Sequence, residues 1–182
     1  NAVSGDTAVG PPRRLRWTAP PRNARHHERL ASVSVLVAAG GRIYYIIDES
    51  PAASVLIEPQ WRLVARDGFS GVRLWHAAVS SWEEHLRGFR SGPPDLARRL
   101  VAAGDRVYAT LGYGKPVTAL DGATGKTLKT YEQTAGTEEI RHRDGTLFLV
   151  IESADGGPKD IAAIDAATGT EHWRKKGADP LP

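Results

Sequence analysis

At 182 residues, with 41% apolar and 25% charged side chains, the chain suits one globular core or a short repeat array and is too apolar for disorder. Its 24 Lys and Arg against 21 Asp and Glu are spread without a block, which gives no footprint for nucleic acid. The absence of cysteine excludes disulfides, thiolate metal sites and a cysteine nucleophile, and the longest apolar run, residues 33–40, is far too short to span a bilayer.

Residues 1–30 read as an N-terminal extension, in which residues 13–20 (RRLRWTAP) form the last strand of an incomplete repeat closing on Trp17. The sequence opens on Asn1, holds no Met and shows no signal-peptide pattern, so it is expected to be a processed product or part of a longer protein. His26, His27 and Glu28, with His85, are metal-ligand types. Adjacent histidines on a strand point to opposite faces, and the helical spacing His-Glu-x-x-His is missing, so no metal site is assigned.

Residues 31–79 form the first full unit: a tight turn within AAGGRIYYII (38–47) leads into β-branched and aromatic residues, and RLVARDGFSGVRLWH (62–76) follows. Residues 80–99 are an insertion. Ser81 with Glu84 fits a capping box for a short helix from Trp82 to about Gly88, and Asp95 caps a second turn through Arg99. Such an excursion either meets a partner or covers an open edge. The second unit spans residues 100–136, the third residues 137–176, and residues 177–182 are a tail. Within the second unit GYGKP (112–116) lacks the Gly-Lys-Ser/Thr ending and following helix of a phosphate loop, so a hairpin loop is expected there.

The units are copies of one another. TALDGATGKTLKTY (118–131) returns as AAIDAATGTEHWRK (162–175), and residues 62–76 are a third, more worn copy. All three carry Ala-x-Asp, ending at Asp67, Asp121 and Asp165, and each Asp is followed four residues later by Gly71, Gly125 or Gly169. A large ring then closes the unit: Trp75 and Trp173 at one offset, Tyr131 two places further on. An Asp carboxylate accepts backbone N–H groups two residues on, and Gly takes the positive φ of the turn. That role accounts for all three carboxylates without acid–base chemistry. Turn, strand, variable loop, strand, Asp-x-x-x-Gly turn, strand and aromatic describe a four-stranded propeller blade, which recurs every roughly 40–50 residues. The expected fold is all-β: a partial β-propeller of about three blades and a remnant, with a short helical insertion.

The pattern Gly-Asp-Arg-Val-Tyr (104–108) followed by Ala-Leu-Asp-Gly-Ala-Thr-Gly-Lys-Thr-Leu (119–128) resembles the PQQ-like β-propeller repeat. That bacterial repeat occurs in quinoprotein alcohol dehydrogenases and in the lipoprotein that scaffolds outer-membrane-protein assembly. The resemblance covers about residues 31–79 and 97–176, with a fragment at 11–20. It implies that Trp17, Trp75, Tyr131 and Trp173 lie between neighbouring blades, over small residues of an adjacent sheet. It also implies an extracytoplasmic setting, periplasmic or in the cell envelope.

The same repeat serves enzymes and inert scaffolds. The leading expectation is a non-catalytic interaction or assembly module. The alternatives are a segment of a PQQ-dependent oxidoreductase, with PQQ and calcium as cofactors, and carbohydrate or small-ligand binding at the propeller axis. In the family's dehydrogenases the quinone sits on the axis over a Trp, beside calcium held by carboxylate and amide groups, commonly under a vicinal disulfide. This sequence has no Cys, and Asn only at Asn1 and Asn23, so no catalytic or cofactor-binding residue is mapped. Three units do not close a ring of four to eight blades. Further blades or a protein partner are expected to complete it, one route being a homodimer of half-rings supplying about eight blades.

Overall fold

The computed structural model describes residues 15–18, 33–51, 59–80, 98–153 and 156–177. They form three four-stranded antiparallel sheets, each a meander in chain order. Blade 1 comprises β1 (Val33–Ala39), β2 (Arg42–Asp48), β3 (Trp61–Asp67) and β4 (Arg73–Ala78). Blade 2 comprises β5 (Leu100–Ala103), β6 (Arg106–Thr110), β7 (Val117–Asp121) and β8 (Thr127–Tyr131). Blade 3 comprises β9 (Thr137–Arg143), β10 (Thr146–Ile151), β11 (Asp160–Asp165) and β12 (Glu171–Lys175). The first strands sit side by side, β1 against β5 and β5 against β9, so the sheets radiate from a common inner edge as propeller blades do.

Local chemistry sets each hairpin. The first two strands of blade 1 turn through Gly40 and Gly41 at φ 56° and 72°, the positive values that match strand twist in a two-residue loop. In blade 3 Asp144, at φ 47°, and Gly145 do the same. The third and fourth strands are joined by the Asp turn. Asp121 Oδ1 accepts from Ala123 N (3.1 Å), Thr124 N (2.8 Å) and Thr124 Oγ1 (2.7 Å), and Gly125 N donates to Asp121 O (2.8 Å). The same bonds recur around Asp67 with Phe69 and Ser70, and around Asp165 with Ala167 and Thr168. Each blade also ties its two turns together, as Gly68 N donates to Gly41 O, Gly122 N to Asp105 O and Ala166 N to Gly145 O, all at 2.8 Å.

Because alternate residues on a strand face opposite ways, each blade buries one face against each neighbour. Tyr44, Leu63 and Ala65 of blade 1 pack on Val107, Ala109 and Leu120 of blade 2. Tyr108, Ala119 and Tyr131 of blade 2 pack on Leu147, Leu149 and Ile164 of blade 3. The loop at 112–116 connects β6 directly to β7, with Gly112 bridged to Ser80.

The helix expected from Trp82 to about Gly88 and residues 95–97 of the second expected turn lie outside the described residues, as do His26, His27, Glu28 and His85. Residues 15–18, expected within a strand, run without strand pairing.

Candidate functional site

Strand register places four side chains in a row across one face of every blade. In blade 1 the row is Val37–Tyr44–Ala65–Trp75, each residue paired with the next. In blade 2 it is Val101–Tyr108–Ala119–Lys129, and in blade 3 Arg141–Phe148–Ala163–Trp173. The first two rows are covered by the next blade. Tyr44 and Ala65 are fully buried, and Tyr108 and Ala119 nearly so. The third row meets no blade among the described residues.

The rim of each covered row is a lock. Trp75 Nε1 donates to Gly122 O at 2.9 Å, and the ring lies over Gly125, where an added Cβ would come within 2.6 Å of it. Tyr44 OH donates to the same carbonyl at 3.2 Å, and Arg42 Nη1 meets Asp105 Oδ1 of blade 2 at 3.1 Å. Trp17 treats blade 1 the same way: its Nε1 donates to Gly68 O at 3.2 Å, and a Cβ at Gly71 would fall 2.5 Å from the ring. Between blades 2 and 3 the indole is missing. Lys129 holds its register, with its stem against Gly169, while Tyr131 OH donates to Ala166 O at 2.5 Å and Arg106 Nη1 reaches that oxygen at 3.3 Å.

Thus the turn residues Asp67, Asp121 and Asp165 present the carbonyl that follows them, Gly71, Gly125 and Gly169 clear the space, and Trp75 and Tyr131 fill it. Trp173 occupies the donor register, but the residue is 48% exposed, with its ring 6.4 Å from that of Phe148 on its own blade. The sequence reading did not single out Arg42, Tyr44, Arg106 or Lys129. The signal for the first three was Arg-x-Tyr immediately after the first tight turn, present at 42–44 and 106–108 and replaced at 146–148 by Thr-x-Phe.

Electrostatics follow the same geometry. Hydrogen bonds from the Ser70 and Thr168 backbones, and from the Thr124 hydroxyl, lead in holding Asp67, Asp165 and Asp121 below the ordinary carboxylate value. Burial pushes the Tyr131 phenol up to about 12, so it remains a donor throughout the neutral range.

A second polar cluster sits where blade 2 meets blade 3. Arg99, almost fully buried, donates from Nη1 to Thr137 O at 2.9 Å and lies 6.0 Å from the centroid of the Tyr113 ring. Tyr113 OH donates to Glu152 Oε2 at 3.4 Å, and its pKa is raised by burial first and by Glu152 second. Lys159 pairs with Glu138, and an open cavity of about 500 Å³ beside blade 3 is lined by Glu152, Asp160, Arg174 and Lys176 among others.

Among the described residues no group of three or more His, Cys, Asp or Glu is placed to hold a metal, and no helix is long and apolar enough to cross a membrane. PQQ with calcium needs an accessible Trp face beside convergent carboxylate and amide oxygens. Trp75 is wedged between blades. Trp173 is half exposed, but the turn Asp carboxylates are taken up by their own turns and no group of three carboxylates or histidines converges among the described residues, so these residues do not fit that group.

The model of the family described as outer membrane protein assembly factor BamB matches residues 13–175. The chain belongs to this family of PQQ-like repeats. Among solved structures, quinohemoprotein alcohol dehydrogenase from Comamonas testosteroni is similar at 20% identity and a TM-score of 0.53. That match covers 88% of this chain and 22% of that one. A computationally designed protein matches at 12% identity and a TM-score of 0.50, over 81% of this chain and 37% of that one. The chain therefore spans well under half the length of these structures, and the likeness is one of fold. No curated protein sequence matches significantly.

Proposed function

We propose that this segment is a non-catalytic interaction and assembly module of PQQ-like blades that works outside the cytoplasm and is completed by docking on the flank of blade 3. The observation that carries the reading is Trp173. It stands in the register of Trp75, on a row whose two counterparts are buried, yet leaves nearly half its surface in solvent. Full burial of such a ring removes about 150–250 Å², and covering the exposed half that remains at Trp173 is worth an upper figure of roughly 2–3 kcal/mol at ~25 cal/mol/Å². The outer-membrane assembly description of the matching family supports the setting.

Hydroxyl-radical footprinting tests this. Trp173 is expected to be oxidised readily in the purified 182-residue chain and to be protected several-fold in the envelope of cells that make the protein. Equal labelling in both refutes docking. Dye reduction by the envelope preparation that needs added PQQ and calcium and is abolished by Trp75→Phe would place the chain among the oxidoreductases instead.

A further inference from the structure

The blade 3 flank departs from its two covered counterparts in charge. On the innermost strand Val37 and Val101 are matched by Arg141, and Ala39 and Ala103 by Arg143. One strand outward the change runs the other way, since Arg42 and Arg106 are matched by Thr146. Ala39 pairs with Arg42, Ala103 with Arg106 and Arg143 with Thr146, so the cation has moved to the adjacent strand within one row. Its task in the first interface is visible: Arg42 crosses to Asp105, in the first tight turn of the next blade. Arg143 is 84% exposed and Arg141 75%, and their partners, Asp144 and Glu139, belong to blade 3 itself.

We propose that the flank of blade 3 receives a propeller blade of different sequence, with a carboxylate in its first tight turn facing Arg143 and an Asp-x-x-x-Gly turn beneath Trp173. This rests on the reading of the flank as a docking surface. A second copy of this chain is the wrong partner. Its blade 1 offers Gly40 and Gly41 at the first turn, with no carboxylate for Arg143, and the adjacent Arg42 is engaged with Asp105 on the opposite face. Its Asp67–Gly71 turn is already filled by Trp17. Charge complementarity and continuity with the first interface, where Arg42 meets Asp105, therefore select an acidic, non-identical blade; in the second interface Arg106 meets the Ala166 carbonyl instead.

The test places p-benzoylphenylalanine at Asp144 or Lys175 of the protein in the cells that produce it, and sequences the cross-linked peptides by mass spectrometry. Both positions are expected to capture one sheet: residue 175 a segment with Asp-x-x-x-Gly, residue 144 a tight turn bearing Asp or Glu. Arg143→Glu is expected to lower the yield from position 175 about fivefold, and a Lys in place of the captured acid to restore it. Capture of a sheet with a neutral or basic turn, of a second copy's blade 1 or of a protein without blades overturns the proposal but leaves the docking reading standing. So does a yield indifferent to Arg143→Glu. Absence of cross-links at both positions overturns both.

Discussion

The lock between blades makes a quantitative prediction at Gly125. Its φ of 72° lies in the left-handed region, where a side chain costs about 1–2 kcal/mol. An added methyl would also stand 2.6 Å from Trp75 Cδ2 and 2.8 Å from Cε3, so the ring must move by close to an ångström. That movement breaks the 2.9 Å bond to Gly122 O, worth about 1 kcal/mol, and loosens packing by a similar amount. Gly125→Ala is thus expected to destabilise by about 3–4 kcal/mol. Gly145 is the control, with a φ of 74° and nothing within 4 Å of its missing Cβ. Gly145→Ala carries the backbone strain alone, about 1–2 kcal/mol.

Urea unfolding followed by circular dichroism reads the difference, provided the m-values agree. A double-mutant cycle with Trp75→Ala sharpens it: without the ring, Gly125→Ala should fall to the cost of the control. Equal costs for Gly125→Ala and Gly145→Ala, within about 0.5 kcal/mol, would mean that the glycine serves only its own turn, and the interblade lock would be wrong.

Trp75→Ala is expected to cost about 3–5 kcal/mol and Trp173→Ala under about 1.5 kcal/mol in the purified chain, because only the first ring has a blade over it; equal losses by the same unfolding assay would contradict an open flank. The three Asp turns are held below the ordinary carboxylate value of 3.8, so unfolding takes up protons. Their stabilisation is complete above that value and is lost as pH falls through the lower folded values; Thr124→Ala should shift acid unfolding to higher pH. Tyr131 moves from 10.0 to about 12, so its contribution is full below pH 10 and disappears as pH rises towards 12. Ultraviolet titration of the phenolates should show a late component that is lost in Tyr131→Phe, beside the raised Tyr44 and Tyr113.

The blade architecture was legible because its turns are written in residue types with a single physical use. Asp followed four residues later by Gly fixes a carboxylate over two N–H groups and a positive φ, whatever surrounds it, so three copies align by eye. The interfaces were less legible because they join residues whose sequence separation varies with loop length. Tyr44 bonds to Gly122, 78 residues away, and no local pattern announces that contact. Lys129 shows the other difficulty. At the offset of Trp75 and Trp173 it reads as an exception, yet its stem covers Gly169 while Tyr131, two residues on, supplies the donor. Side-chain identity had changed while the hydrogen bond it served had not.

That substitution shows what the interface selects for. Each junction needs a donor aimed at the carbonyl after the turn Asp and a bulky apolar body on a glycine. Indole supplies both at once, and lysine with tyrosine supplies them separately. The residue after Asp is Gly122 where Tyr44 OH crowds it to 2.5 Å from a hypothetical Cβ, but Ala166 where the matching Tyr108 turns aside to stack on His142 at 5.7 Å. Donor and acceptor lie on opposite faces of a blade, so the contact is head-to-tail and cannot be satisfied by two identical flanks meeting across a two-fold axis. Growth from blade 3 then requires an acceptor turn, and the acceptor of blade 1 is already held by Trp17. A polarised, charge-marked edge of this kind specifies which blade follows, where an apolar edge would accept any.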